Sequence, residues 1–159
     1  MDKLEYALVL RKKKKLKESN SLLIELTKEH PHNPEYHYQC AWSFDVLGEE
    51  AKAVPYYERA IELGLNGKSL EGAIVGLGST YRTIGDYENS KRIFEKGLKL
   101  FPNNQAIKAF FSMTLYNLKQ HDQAMELLLN CLIETTADNS IRDYERAIRY
   151  YSDKLDQIW

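Results

Sequence analysis

A chain of 159 residues with a net charge of −1 has room for one domain and carries no global field that would draw in nucleic acid. No apolar run reaches the roughly 18 residues of a membrane span. The basic run at residues 11–15 interrupts the first apolar stretch too early for a secretory leader, so no membrane partner is expected.

Apolar spacing of three and four predicts nine helices. They fall near 2–14 and 17–29, then 34–47 and 50–63, then 69–84 and 87–100, then 104–118 and 121–134, with a last helix over about 139–157. Gly85-Asp86 marks one turn well, because glycine ends a helix at positive φ and aspartate caps the next. Lys14-Lys15 and Lys119-Gln120 stand at the matching places of other pairs and mark their turns less clearly. Three extra residues lie between Gly64 and Gly72, where Gly64 and Gly67 suit the turn and Ser69 is the expected cap. Pro55 lies about five residues into its helix, where it removes a backbone donor. The last helix carries Ile141, Tyr144, Ile148, Tyr151, Leu155 and Ile158 in alternating steps. That stripe reads as a cover for the fourth helical pair, with a self-association seam as the alternative.

One set of residues recurs through all four pairs. Ala7, Ala41, Gly78 and Ser112 are small and lie 34, 37 and 34 residues apart. Ser19, Ala53, Ser90 and Ala124 keep those intervals, as do the large residues Leu23, Tyr57, Phe94 and Leu128. Small side chains in register let two helices approach to about 8–10 Å. At a further small position, Leu26 replaces the Ala60, Gly97 and Cys131 of the other pairs, which predicts a looser or frayed first hairpin. Cys40 and Cys131 occupy core positions of different pairs, so a disulfide is not expected. Buried free thiols suit a reducing compartment, and the expected location is cytoplasmic.

This pattern resembles the tetratricopeptide repeat family, whose unit is a helix–turn–helix of about 34 residues. Pro31 and Pro102 match the family's proline near the repeat end, whereas the first-helix tryptophan is absent and Lys3, His37, Ile74 and Lys108 stand there. The resemblance implies an all-α right-handed superhelix, a single domain over 1–159. Its four repeats would span about 1–33, 34–70, 71–104 and 105–138, followed by a capping helix over 139–158.

The resemblance also implies a concave face lined by the first helix of each repeat. Carried onto this chain, that face takes Leu4, Leu8, Arg11 and Lys12, then Tyr38, Trp42 and Asp45. The third repeat supplies Val75, Ser79 and Arg82, and the fourth Met113, Tyr116 and Asn117, with Phe110 beside them. Tyr38 and Trp42 would anchor an extended peptide or a helix face, and Arg82 would select polar groups. The lysines and asparagines by which some family members hold a terminal carboxylate are missing at the corresponding positions.

Chemistry-bearing constellations are weak. His30, His32 and His37 match no i, i+4 metal pair. Gly78 and Tyr81 in the stretch at 76–81 are explained by the repeat register, which leaves Ser79 no role as a nucleophile. The run Arg11-Lys12-Lys13-Lys14-Lys15 reads first as a solvated turn and second as a contact for an acidic partner. The sequence thus predicts a non-enzymatic scaffold without catalytic residues, cofactor or metal, binding a protein or peptide. A structural homodimer built through the C-terminal helix is the alternative.

Overall fold

The computed structural model describes residues 1–159 and is helical throughout, with no strand. Met1–Gly85 and Asp86–Trp159 form two compact units. In the first, α1 (Lys3–Lys12) pairs with α2 (Leu16–Glu29), and α3 (Pro34–Asp45) pairs with α4 (Glu50–Glu62). Helix α2 packs on α3, and α5 (Gly67–Thr83) packs on α4 and α3. In the second unit, α6 (Tyr87–Leu100) packs on α7 (Gln105–Asn117), which pairs with α8 (His121–Thr135). Two short helices follow, α9 (Asn139–Arg142) and α10 (Glu145–Tyr151), and α10 lies against α8.

Local chemistry sets the helix starts. Asp2 accepts from the Glu5 backbone N–H at 2.7 Å, and the Glu5 carboxylate accepts from the Asp2 N–H at 3.1 Å, a reciprocal cap. Asn33 caps α3 just before Pro34, and Asp86 and Asn104 cap α6 and α7. Helix α5 begins two residues earlier than the expected cap at Ser69; Asn66 precedes it, and Gly67 enters at φ 57°. Helix α4 starts at Glu50, and Pro55 sits on its exposed side. The Ala51 carbonyl that Pro55 leaves unbonded therefore faces water rather than core.

The small positions of the register are interior. Ala7, Ala41, Ala53 and Ala60 are fully buried. The Ser19 hydroxyl donates to the Ala7 carbonyl at 2.8 Å, so a small polar residue ties α2 to α1 at their crossing. Leu26 is buried within a complete α2, and the first hairpin is not frayed.

The weakly marked turns share the geometry of the glycine turns. Lys14 and Lys119 adopt φ 62° and 63°, beside 72° at Gly48 and 83° at Gly85. These four residues keep the repeat intervals, so two lysines stand in a left-handed site that glycine fills elsewhere.

The expected continuous helix over 139–157 is replaced by α9 and α10, which are separated at Asp143 and Tyr144. The interruption removes the two-sided stripe. Ile141 and Ile148 are half-buried, while Tyr144, Tyr151, Leu155 and Ile158 are exposed. Polar bonds tie this segment to α8: Arg149 Nη1 donates to Asn130 Oδ1 at 3.1 Å, and Asn130 Nδ2 donates to Ser152 Oγ at 3.3 Å.

Candidate functional site

In the first unit the inward turn of Arg11 builds a hollow between α1 and α3. Arg11 closes the last turn of α1, where a cation is favoured by the helix dipole. Its side chain leaves the solvated run that follows and crosses to α3. The guanidinium lies 4.5 Å from the ring centroid of Trp42, and Nη2 donates to Gln39 Oε1 at 2.8 Å. Gln39 in turn donates to Glu35 Oε1 at 2.8 Å. Arg11 Nε is buried without a hydrogen-bond partner, and no carboxylate forms an ion pair with Arg11. Burial pushes the guanidinium pKa below its ordinary value, outweighing the phenols of Tyr38 and Tyr57, which act the other way.

The hollow is a pocket of about 480 Å³. Leu8, Leu16, Trp42 and Val46 form its apolar walls, while Arg11, Lys12, Lys14 and Gln39 supply its polar edge. None of these eight residues is acidic. Trp42 remains 43% exposed, so a large rigid apolar surface is presented rather than packed away. Tyr38 stacks on Trp42 with centroids 6.1 Å apart and lies 6.3 Å from the ring of Tyr57.

The other expected residues of this unit have different surroundings. Asp45 accepts from Tyr57 Oη at 2.5 Å and from Thr80 Oγ1 at 3.0 Å, which commits its carboxylate to partners inside the unit. Burial pushes the Asp45 carboxyl above its ordinary value, and the two hydroxyl donors pull it partly back. Burial, and then the charge of Asp45, push the Tyr57 phenol up. Val75, Ser79 and Arg82 are half-buried on α5, and the Ser79 carbonyl accepts from Thr83 Oγ1 at 3.0 Å.

In the second unit Met113 and Tyr116 are exposed on α7, and Phe110 and Asn117 are half-buried there. The Tyr116 ring meets His121 edge-on, with centroids 4.7 Å apart. A second hollow of about 440 Å³ lies between α8 and the C-terminal segment, with Asp122, Glu126, Asp153 and Asp156 among its lining residues. His37 Nε2 lies 3.0 Å from the Pro31 carbonyl oxygen, and His30 packs edge-on against Tyr36, so these rings serve the loop before α3.

Sequence reasoning placed Arg11 on the concave face but read the basic run as a whole mainly as a solvated turn. The available signal was register: Arg11 lies one helical turn beyond Leu8 on the face that carries Trp42 in the next repeat. Leu16 and Gln39 were not expected in the site.

Comparison with known proteins agrees with the repeat geometry. A family described as Tetratrico peptide repeat matches residues 34–155. The chain is 23% identical over 108 residues to Superkiller protein 3 of Saccharomyces cerevisiae, a match covering 64% of this chain and 7% of that protein. Its fold is similar to MamA from Desulfovibrio magneticus RS-1, with a TM-score of 0.76 and 16% identity over 98% of this chain and 89% of that one. It is also similar to YrrB, described as a TPR protein with an unusual peptide-binding site (TM-score 0.73, 13% identity, 96% and 77% covered). PilF of Pseudomonas aeruginosa gives a TM-score of 0.71 at 14% identity, with 97% of this chain and 69% of that one covered. At such identities the likeness speaks for the fold alone.

Proposed function

Since the chain belongs to the tetratricopeptide repeat family, we propose that it is a non-enzymatic interaction module which binds a peptide segment on the α1–α3 face, with Trp42 and Tyr38 as its anchors. The observation that carries this reading is Trp42: nearly half exposed, in contact with the Arg11 guanidinium and the Tyr38 ring, at the wall of an open hollow. An aromatic held in one orientation binds at low entropic cost. The peptide-binding site described for YrrB supports the same use of this fold. Val75, Ser79 and Arg82 extend the proposed face on α5, and Phe110, Met113, Tyr116 and Asn117 form its counterpart on α7.

The test is affinity capture followed by mass spectrometry, with wild type against Trp42→Ala. The variant loses a half-exposed ring and should melt close to wild type, while its complex should weaken by about 2 kcal/mol or more. Equal capture by both proteins would remove Trp42 from the site. No helix is long and apolar enough to cross a membrane. The buried thiols Cys40 and Cys131 support a reducing, cytoplasmic setting.

Self-association through the C-terminal segment is a second reading. Tyr144, Tyr151, Leu155 and Ile158 are all exposed there, a concentration of apolar surface that favours a contact. A Tyr144→Lys/Leu155→Lys variant should lower the mass measured by light scattering if a homodimer uses this surface. An unchanged monomer mass in wild type and variant would dismiss it.

A further inference from the structure

We propose that the hollow between α1 and α3 reads an acidic segment of a partner polypeptide, Arg11 taking a side-chain carboxylate while Trp42 and Leu8 hold a neighbouring apolar residue. The inference rests on the peptide-binding reading above and adds the chemistry of the ligand.

Charge complementarity carries it. Three cations border the hollow and no acid does. Lys12 and Lys14 are exposed and ion-pair with nothing in the chain, in contrast to Lys15, which meets Glu18 at 3.3 Å. Arg11 is half-buried, and its one polar contact is the neutral Gln39. Glu35 is held one side chain away, behind Gln39. A half-buried guanidinium with a buried, unpartnered Nε is an incomplete arrangement, because a cation removed from water is ordinarily paired. Its fork suits a carboxylate, and stacking on Trp42 holds that fork still. The apolar walls set what stands beside the acid. Leu8, Leu16, Trp42 and Val46 line the same hollow as Arg11, so a purely acidic run would leave them wet. An aliphatic or aromatic residue next to the Asp or Glu satisfies both halves of the site. Several cations at one edge fit several acids along an internal segment better than the single charge of a chain end. Lys12 and Lys14 then act at longer range, raising the encounter rate at low salt.

The experiment is selection from a displayed random-peptide library on the full chain, counter-selected with Trp42→Ala so that only Trp42-dependent binders are kept. The expected binders carry Asp or Glu beside an aliphatic or aromatic residue. Their affinity should fall about tenfold or more with Arg11→Gln, and less with Arg11→Lys. Because Arg11 is partly interior, a Lys12→Gln/Lys14→Gln variant supplies a change that cannot disturb the core. It should weaken the same peptides several-fold and flatten their dependence on salt. Trp42-dependent binders that are neutral or basic would overturn the acidic reading and leave the groove standing. So would acidic binders indifferent to both the Arg11 and the lysine changes. The absence of any Trp42-dependent binder would remove the groove reading and this inference together.

Discussion

Gly76 on α5 should be irreplaceable even by alanine, and Gly72, one turn earlier, should not. A Cβ built on Gly76 would lie 2.4, 2.5 and 2.9 Å from Oη, Cζ and Cε1 of Tyr57. Tyr57 is almost wholly buried and bonded to Asp45, so its ring has no room to move aside. Alanine brings about 1 kcal/mol of helix propensity. Overpacking opposes it with about 1–3 kcal/mol. Displacing the phenol also breaks a hydrogen bond to a carboxylate, worth about 1.5–3 kcal/mol. The net expectation for Gly76→Ala is a loss of about 2–4 kcal/mol, or a melting temperature lower by about 5–15 °C in a chain of this size. Tyr57→Phe in the same chain should not rescue it, because the clash extends to ring carbons. A Cβ on Gly72 would meet Tyr38 Oη at 2.2 Å but Cζ only at 3.1 Å, and Tyr38 is half-buried. Gly72→Ala should therefore cost less than about 1 kcal/mol, and adding Tyr38→Phe should return stability to wild type or above. Circular-dichroism melts and urea titrations of the four variants, beside wild type, measure this. A Gly76→Ala protein as stable as wild type, or one restored by Tyr57→Phe, would refute the packing argument.

Further expectations concern single residues. Lys119→Gly should raise stability by about 0.5–1 kcal/mol, since relief of the left-handed strain exceeds the added entropy of the unfolded chain; an unchanged urea midpoint would count against it. The Asp45 carboxyl is raised by burial, so the folded state binds its proton more tightly than the unfolded state does. The stability of wild type relative to Asp45→Asn should therefore rise as pH falls from neutrality through the raised value to about 4, the ordinary range. A difference that stays flat with pH would contradict this. Burial pushes the Cys40 thiol up to about 12, so a thiol reagent should modify it only as the protein unfolds. Immediate reaction of both cysteines in the native protein would show the core to be open.

The repeats were legible because packing imposes them: a residue at a helix crossing has one size, and Ala7, Ala41 and Ala53 declare it. The turns were half legible. Gly48 and Gly85 announce positive φ, whereas Lys14 and Lys119 adopt it under tertiary constraint, against their own preference. The last helix was misread because its apolar spacing persists across a break at Asp143 and Tyr144 that no proline or glycine signals. Of the candidate site, Tyr38 and Trp42 were found by register. Arg11 was obscured by its company, because a run of five basic residues looks uniform until one side chain folds inward. Asp45 looks like a ligand-binding acid in sequence, and the fold adds a task that spacing does not show, since each of its oxygens accepts one hydroxyl, from Tyr57 and from Thr80.

Leu128 has a consequence for motion. Its register equivalents Leu23, Tyr57 and Phe94 are at most 2% exposed, whereas Leu128 on α8 is 45% exposed. Helical repeats gain much of their stability from the contact each makes with its neighbour. On this side α8 is followed by no further repeat hairpin; polar bonds through Arg149 and Asn130 tie the C-terminal segment to it, and Leu128 is left half exposed. The second unit should therefore open in steps from this side. Backbone amides of α9 and α10 should exchange with deuterium first, those of α8 next, and those of α7 around the fully buried Ile107 and Thr114 last.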